Sequence, residues 1–179
     1  MPSAPALLRP TQAADLDFVL AAEQAPENAQ FIGSWTRDRH WQACHDPNER
    51  HWLVVNAATE EPAGYVIMVD VQNPDECILI KRVVITQKGL GLGRSALEQV
   101  ITTAFLDYQA HRVWLDVMAD NGRARSLYRA LGFVEEGCLR ESTKTSRGYV
   151  SMWIMGMLRS EFLARYGHRS TELDALRKA

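Results

Sequence analysis

Three glycines alternate along the stretch Lys88-Gly89-Leu90-Gly91-Leu92-Gly93-Arg94. A strand-like apolar run, Val83 to Ile85, comes before it, and a helical pattern follows directly after. A bare backbone where a strand becomes a helix suits one kind of chemistry. The first four N–H groups of a helix lack partners inside it, and the helix dipole places partial positive charge there. Glycine removes side chains that would block an anion and permits unusual φ angles. Lys88 and Arg94 add charge on either side. The stretch therefore points to a phosphate-bearing ligand. The spacing GxxxxGK(S/T) of nucleotide triphosphatases is absent. Gly91-Leu92-Gly93-Arg94-Ser95-Ala96 fits the loose dinucleotide form GxGxxA. That form opens a doubly wound parallel sheet, with an acid ending the second strand. Here antiparallel strands come first. Taken alone, the glycines also fit a turn that binds nothing.

The elements that hold this loop follow from periodicity. Leu7 to Pro10 reads as a short strand. Thr11 is placed to cap a helix over Gln12 to Gln24, which Pro26 ends. A second helical piece spans about Thr36 to Cys44. Strands His51 to Ala57, Tyr65 to Val71 and Cys77 to Ile85, joined by short links, predict an antiparallel meander. After the glycines, Leu97, Val100, Ile101, Ala104, Phe105 and Tyr108 form one helical stripe. Arg112 to Met118 is a strand, completing a β-α-β unit with two parallel strands. Asn121 opens a helix with Ala124, Leu127, Tyr128 and Leu131 on its apolar face, and Gly132 closes it. Phe133 to Leu139 and Tyr149 to Leu158 are the last strands. Ser160 to Ala179 reads as helical, then charged. The order β-α-α-β-β-β-α-β-α-β-β is α/β or α+β.

The bulk composition narrows the class. A chain of 179 residues, 46% hydrophobic and 23% charged, suits one soluble domain. A net charge of -2 argues against coating nucleic acid or an anionic membrane. No run approaches the roughly 18 apolar residues that span a bilayer, and the start, MPSAPALLRP, does not read as a signal peptide. Cys44, Cys77 and Cys138 are far apart and form no CxxC pair. The expectation is free thiols in a cytoplasmic protein, with no metal site.

Two stretches carry a family resemblance. Val83 to Ala96, VVITQKGLGLGRSA, resembles motif A of the GNAT superfamily of N-acetyltransferases. In that motif, Q/R-x-x-G-x-G, Lys88 to Gly93 fall in place with lysine at the first position. Asn121 to Phe133, NGRARSLYRALGF, resembles the family's N-x-x-A-x-x-x-Y-x-x-x-G-F helix. The resemblance covers Leu7 to Leu158. It is closest to the branch with ribosomal-protein N-terminal and spermidine acetyltransferases. It implies the GNAT fold, a mixed and mostly antiparallel sheet of about seven strands with helices on both faces. One parallel pair in that sheet splays past Ile85 and Val117. A single domain over 1–179, with a helical tail at 159–179, is expected.

The resemblance further implies acetyl-CoA as acyl donor. Its pyrophosphate would rest on Lys88, Gly89, Leu90, Gly91, Leu92, Gly93 and Arg94. Its pantetheine would pair with Val83, Val84 and Ile85 like an added strand, and Asn121 would touch it or cap its own helix. Acetyl transfer to an amine needs a deprotonated nucleophile, an oxyanion donor and an acid for the departing thiolate. Tyr128 is the candidate acid, and a backbone N–H near Val84 the oxyanion donor. The base is open among Glu23, Glu76, Asp116 and a water chain. Glu23, Phe31 and Trp35 are the candidate acceptor contacts, with aromatic faces for a cationic amine. The acceptor is expected to be a polyamine-like small molecule or a protein N-terminus. The last strands and the Ser160 to Tyr166 helix suggest a homodimer. A non-catalytic acyl-CoA sensor is the alternative, because no glutamate occupies the strand before the loop.

Overall fold

The computed structural model describes residues 5–167. The expected homodimer helix lies within these, whereas residues 168–179 of the expected tail lie outside them. Strand β1 (Ala6–Pro10) leads through a short 3-10 turn (Ala13–Asp15) into α1 (Leu16–Gln24). Thr11 does not cap this helix. Asp15 takes the Gln12 N–H at 2.8 Å, while the Thr11 hydroxyl turns inward to His51. Pro26 both ends α1 and starts a second short helix, α2 (Pro26–Ala29), where its missing N–H costs nothing. Helix α3 (Arg37–His45) is capped by Thr36, whose hydroxyl accepts the Arg39 N–H at 3.2 Å.

Then come β2 (Glu49–Asn56), β3 (Pro62–Val69), β4 (Cys77–Ile85), α4 (Leu92–Thr102), β5 (Arg112–Met118), α5 (Gly122–Leu131), β6 (Val134–Thr145) and β7 (Gly148–Leu158). The backbone is helical again from 159 to 167. The seven strands form one sheet in the order β1-β2-β3-β4-β5-β7-β6. Every pairing is antiparallel except β4 with β5. A π turn over Thr103–Asp107 extends α4, with Tyr108 N–H bonded to Thr103 O. The predicted stripe is buried from Leu97 to Phe105, but the extra residue of this turn leaves Tyr108 only half-buried.

Alternation along the strands sorts the core into two layers. Val66, Met68, Ile78 and Ile80 face α4 and α5, which contribute Leu97, Val100, Tyr128 and Leu131. Leu53, Tyr65, Ile67 and Val84 face the opposite way and pack with Val19 and Ala22 of α1. Helices thus cover both faces.

Two departures from regular pairing shape the centre. β4 and β5 are joined only at Cys77–Arg112, Ile78–Val113 and Leu79–Trp114. The strands part earlier than the expected Ile85 and Val117. Opposite β3, the register shifts between Ile67–Arg82 and Met68–Ile80, so Lys81 is an extra, bulged residue. The bulge coincides with the point where β4 leaves β5. Past it, β3 and β4 approach so closely that a Cβ at Gly64 would collide with the Val84 carbonyl oxygen. Gly64→Ala is expected to cost about 1–3 kcal/mol by overpacking, read by urea unfolding. An unchanged midpoint would show that this approach is not needed.

Candidate active site

The parting of β4 and β5 opens a cleft of about 790 Å³. Val83, Val84 and Ile85 form one wall, and Asp116, Val117 and Met118 the other. The glycine loop lies at one end. Asn28, Phe31 and Ile32 close the other side from α2 and the segment after it.

Strand direction decides which backbone groups reach this space. Thr86 N–H bonds to Ala63 O at 2.8 Å, and the Val84 carbonyl faces Gly64. By alternation, Val84 gives its backbone groups to β3, whereas those of Val83 and Ile85 point to the open edge. The expected oxyanion donor near Val84 is therefore better located one residue to either side.

The loop is built as an anion cradle. Gly89 and Gly91 have φ of 88° and 75°, and Gly91 is the left-handed N-cap of α4. The first helical bond is Ser95 N–H to Gly91 O at 3.0 Å, so the amides of Leu92, Gly93 and Arg94 precede it without helical partners. No acid sits in the first turn to compete. Lys88 Nζ rests 2.9 Å from the neutral Asn28 Oδ1 and keeps its charge beside the loop. Arg94 is 3.8 Å from Glu98 along the helix. Leu90 stands apart: it is 58% exposed and outside the cleft wall.

Asn121 caps α5, accepting the Ala124 N–H at 3.2 Å, and also lines the cleft. Both readings of that residue are compatible with its position. Tyr128, one face further along α5, is buried and lines the same cleft. Its hydroxyl has no hydrogen-bond partner among the described residues. Burial, and then the nearby Asp116 carboxylate, push its pKa well above the usual tyrosine value. It stays protonated at neutral pH and can donate. At the rim, Arg147 from the β6–β7 turn bonds the Gln30 carbonyl at 3.1 Å and Asp120 at 2.7 Å. Phe31 lies beneath, its ring 6.0 Å from that guanidinium.

The expectation for Glu23 and Trp35 as acceptor contacts is corrected. Neither lines the cleft. Glu23 is 2% exposed. It accepts from Tyr65 Oη at 2.6 Å, from the Trp35 N–H at 2.9 Å, and from Arg82. His40 Nε2 is 3.1 Å away, off the line of a straight hydrogen bond. Burial alone would raise the Glu23 pKa. The close His40 ring, the bonds from Tyr65 and Trp35, and the charge of Arg82 outweigh it and hold the pKa at about 2, below 4.5. Trp35 already carries two guanidiniums, Arg39 and Arg82, at 4.0 and 4.5 Å from its ring. Its N–H and ring serve the protein rather than an incoming amine.

Sequence reasoning missed the rest of this cluster. His40 Nδ1 is 3.0 Å from His51 Nε2, and His51 Nδ1 is 2.9 Å from the Thr11 hydroxyl. Burial and the neighbouring His40 lower the His51 pKa to about 3, so its ring is neutral. One set of directions satisfies the string: Thr11 O–H to His51, His51 to His40, His40 toward Glu23. Histidines eleven residues apart carry no local signal of this contact. Of the carboxylates considered as base, Glu23 is committed. Glu76 precedes β4 at its paired end, bonded through its carbonyl to the His111 and Arg112 amides. Only Asp116 lines the cleft.

A strand pair opening toward bare helix amides, with a protonated tyrosine in the gap, suits an extended ligand that carries an anionic group. The chain belongs to the Acetyltransferase (GNAT) family, whose model matches residues 18–133. It is similar to the spermidine N(1)-acetyltransferase of Vibrio cholerae serotype O1, 28% identical over 122 residues, 68% of this chain and 70% of the relative. The Escherichia coli K12 protein of the same name is 26% identical over 178 residues, 93% of each chain. The fold matches that of Vibrio cholerae spermidine N-acetyltransferase in complex with CoA and spermine. The TM-score is 0.80 at 23% identity, covering 90% of this chain and 99% of that one. Another structure of the Vibrio protein is described as dodecameric. The activity of this chain is acetyl transfer from acetyl-CoA to an amine.

The buried charges make a stability prediction. Glu23→Gln leaves Arg82 without its counter-ion and should cost about 3–5 kcal/mol at neutral pH. The Glu23 pKa is depressed in the fold. Its contribution is therefore present above pH 4.5 and lost as pH falls toward about 2. Urea unfolding across that window should fall more steeply for the parent than for Glu23→Gln. Parallel curves would count against the assignment.

Proposed function

We propose that this protein acetylates a primary amine, of the polyamine-like or peptide N-terminal kind, by direct attack in a ternary complex. The observation that carries the reading is the unpartnered hydroxyl of Tyr128, a largely buried side chain that lines the same cleft as the open strand edge. The donor lies with its pyrophosphate on the amides from Lys88 to Arg94 and its pantetheine along Val83 to Ile85. An N–H of Val83 or Ile85 meets the thioester oxygen, which gains charge as the bond forms. The amine nitrogen attacks the carbonyl carbon, the C–S bond breaks, the thiolate takes the proton of Tyr128, and the tyrosinate regains one from the newly acetylated nitrogen. Asp116, or water held on it, receives the proton that the ammonium gives up. Phe31 packs against the acceptor.

Relatives named spermidine N(1)-acetyltransferases support an amine acceptor. No helix among the described residues is long and apolar enough to cross a membrane, and we place the protein in the cytoplasm. Self-association as at least a dimer is supported by Leu139, Leu158 and Leu163, all exposed on the last strands and the following helix.

Tyr128→Phe removes a hydroxyl that bonds nothing in the protein. It should leave the unfolding midpoint unchanged while kcat falls by about 10²–10⁴, measured by thiol release with a panel of amines. Undiminished turnover would remove Tyr128 from the reaction. Coenzyme A binding without thiol release across the panel would favour a sensor. In the parent, kcat/KM should rise with pH as the amine loses its proton. It should show no fall from Tyr128 below pH 10.0, its ordinary pKa. A downturn near neutral pH that Tyr128→Phe abolishes would contradict this.

A further inference from the structure

Arg82 is the buried cation of the cleft. It lies on β4 one residue past the bulge, is 8% exposed, and lines the opening. Its ion pair with Glu23 uses one nitrogen only, Nη1 to Oε1. The second carboxylate oxygen is taken by the Trp35 N–H, so the pair is not the two-point fork that guanidinium and carboxylate commonly form. Nε and Nη2 have no hydrogen-bond partner among the described residues. Neither atom is sealed in the interior, so both face the opening. The surroundings fix the guanidinium there: Trp35 supports it at 4.5 Å, and Glu23 pins its inner edge.

The neighbouring chain keeps Nη2 accessible. Gly33 lines the same opening, and a Cβ there would lie 3.9 Å from Nη2. Any larger side chain would stand beside the free donors. Across the parted strands, Asp116 on β5 lines the other wall and has no ion-pair partner among the described residues. The two walls thus present opposite charges to one space.

We infer that the acceptor carries a carboxylate close to its amine, as a free amino acid does, and that Arg82 binds that carboxylate through Nη2 and Nε. The ammonium then lies toward Asp116, between the carboxylate site and the thioester. This rests on the amine-acetyltransferase reading and replaces its polyamine-like and peptide N-terminal acceptors with an amino-acid-like one. A bare polyamine would offer Nε and Nη2 no acceptor atom. A zwitterion answers both walls. Arg82 is a binding and specificity residue here, and it takes no part in proton transfer.

The test needs no variant to begin. With the full-length parent and acetyl-CoA, kcat/KM is measured for a set of α-amino acids. Each is set beside its primary amide and its decarboxylated amine, with rates expressed per free-base amine. The free acid should be preferred by about tenfold to a hundredfold for at least one member, the usual scale of a hydrogen bond to a charged group. The double variant Arg82→Gln with Glu23→Gln removes both buried charges together. Its acid-to-amide ratio should fall to about one, with coenzyme A binding as the check of fold. If the double variant does not fold, the parent panel decides alone. Amides or decarboxylated amines that match or beat every acid would overturn the assignment while leaving amine acetylation in place. A preference that survives in the folded double variant would also overturn it. No acetylation of any amine would overturn both readings.

Discussion

The protein is organised by a parallel ladder that stops after three residue pairs. Backbone N–H and C=O groups need partners wherever water is scarce. When β5 leaves β4 at Leu79 and Trp114, the outward groups of Val83 and Ile85 lose the partner strand. A bulge at Lys81 and the close seat of Gly64 keep the other edge of β4 tied to β3, so the strand cannot turn away to satisfy itself. The cleft is a set of unmet bonds held in place by met ones. An extended amide chain is a natural complement to such an edge.

The helix start at the end of β4 repeats the same logic with charge. Amides of α4 lack partners because they come first, and the left-handed Gly91 turns the chain so that they share one side. The two sets of open groups follow each other along one path, first strand edge, then helix end. A ligand with an extended amide-rich arm and an anionic head would complement that succession. Tyr128 lines the gap because α5 begins where β5 ends.

Much of this was legible in the chain. The ranges Cys77–Ile85 and Arg112–Met118 followed from apolar runs bounded by turn residues, and both stand as observed. The glycine alternation located the loop, and the resemblance of Asn121 to Phe133 to the family's helix singled out Tyr128, which the apolar stripe alone would place in the core. What escaped was long-range. Glu23, His40, His51, Tyr65 and Arg82 come from α1, α3, β2, β3 and β4, and each alone looks like a surface polar residue. Proximity between elements eleven to 59 residues apart leaves no periodic trace. For the same reason Trp35 and Glu23 read as acceptor contacts, when Trp35 stacks under guanidiniums and Glu23 is enclosed. Thr11 read as a cap because capping is a local rule, and a tertiary bond to His51 displaced it.

That last bond reaches further than one side chain. β1 is an edge strand, and edges ordinarily loosen first. Here its end is held by the Thr11 N–H to the His51 carbonyl at 2.9 Å and by the hydroxyl to the His51 ring. From that ring the string runs inward to the sealed carboxylate between α1 and the sheet. Peeling the margin would therefore expose a void of unmet polar atoms at the middle. The perimeter is thereby tied to the interior through a continuous string of polar contacts.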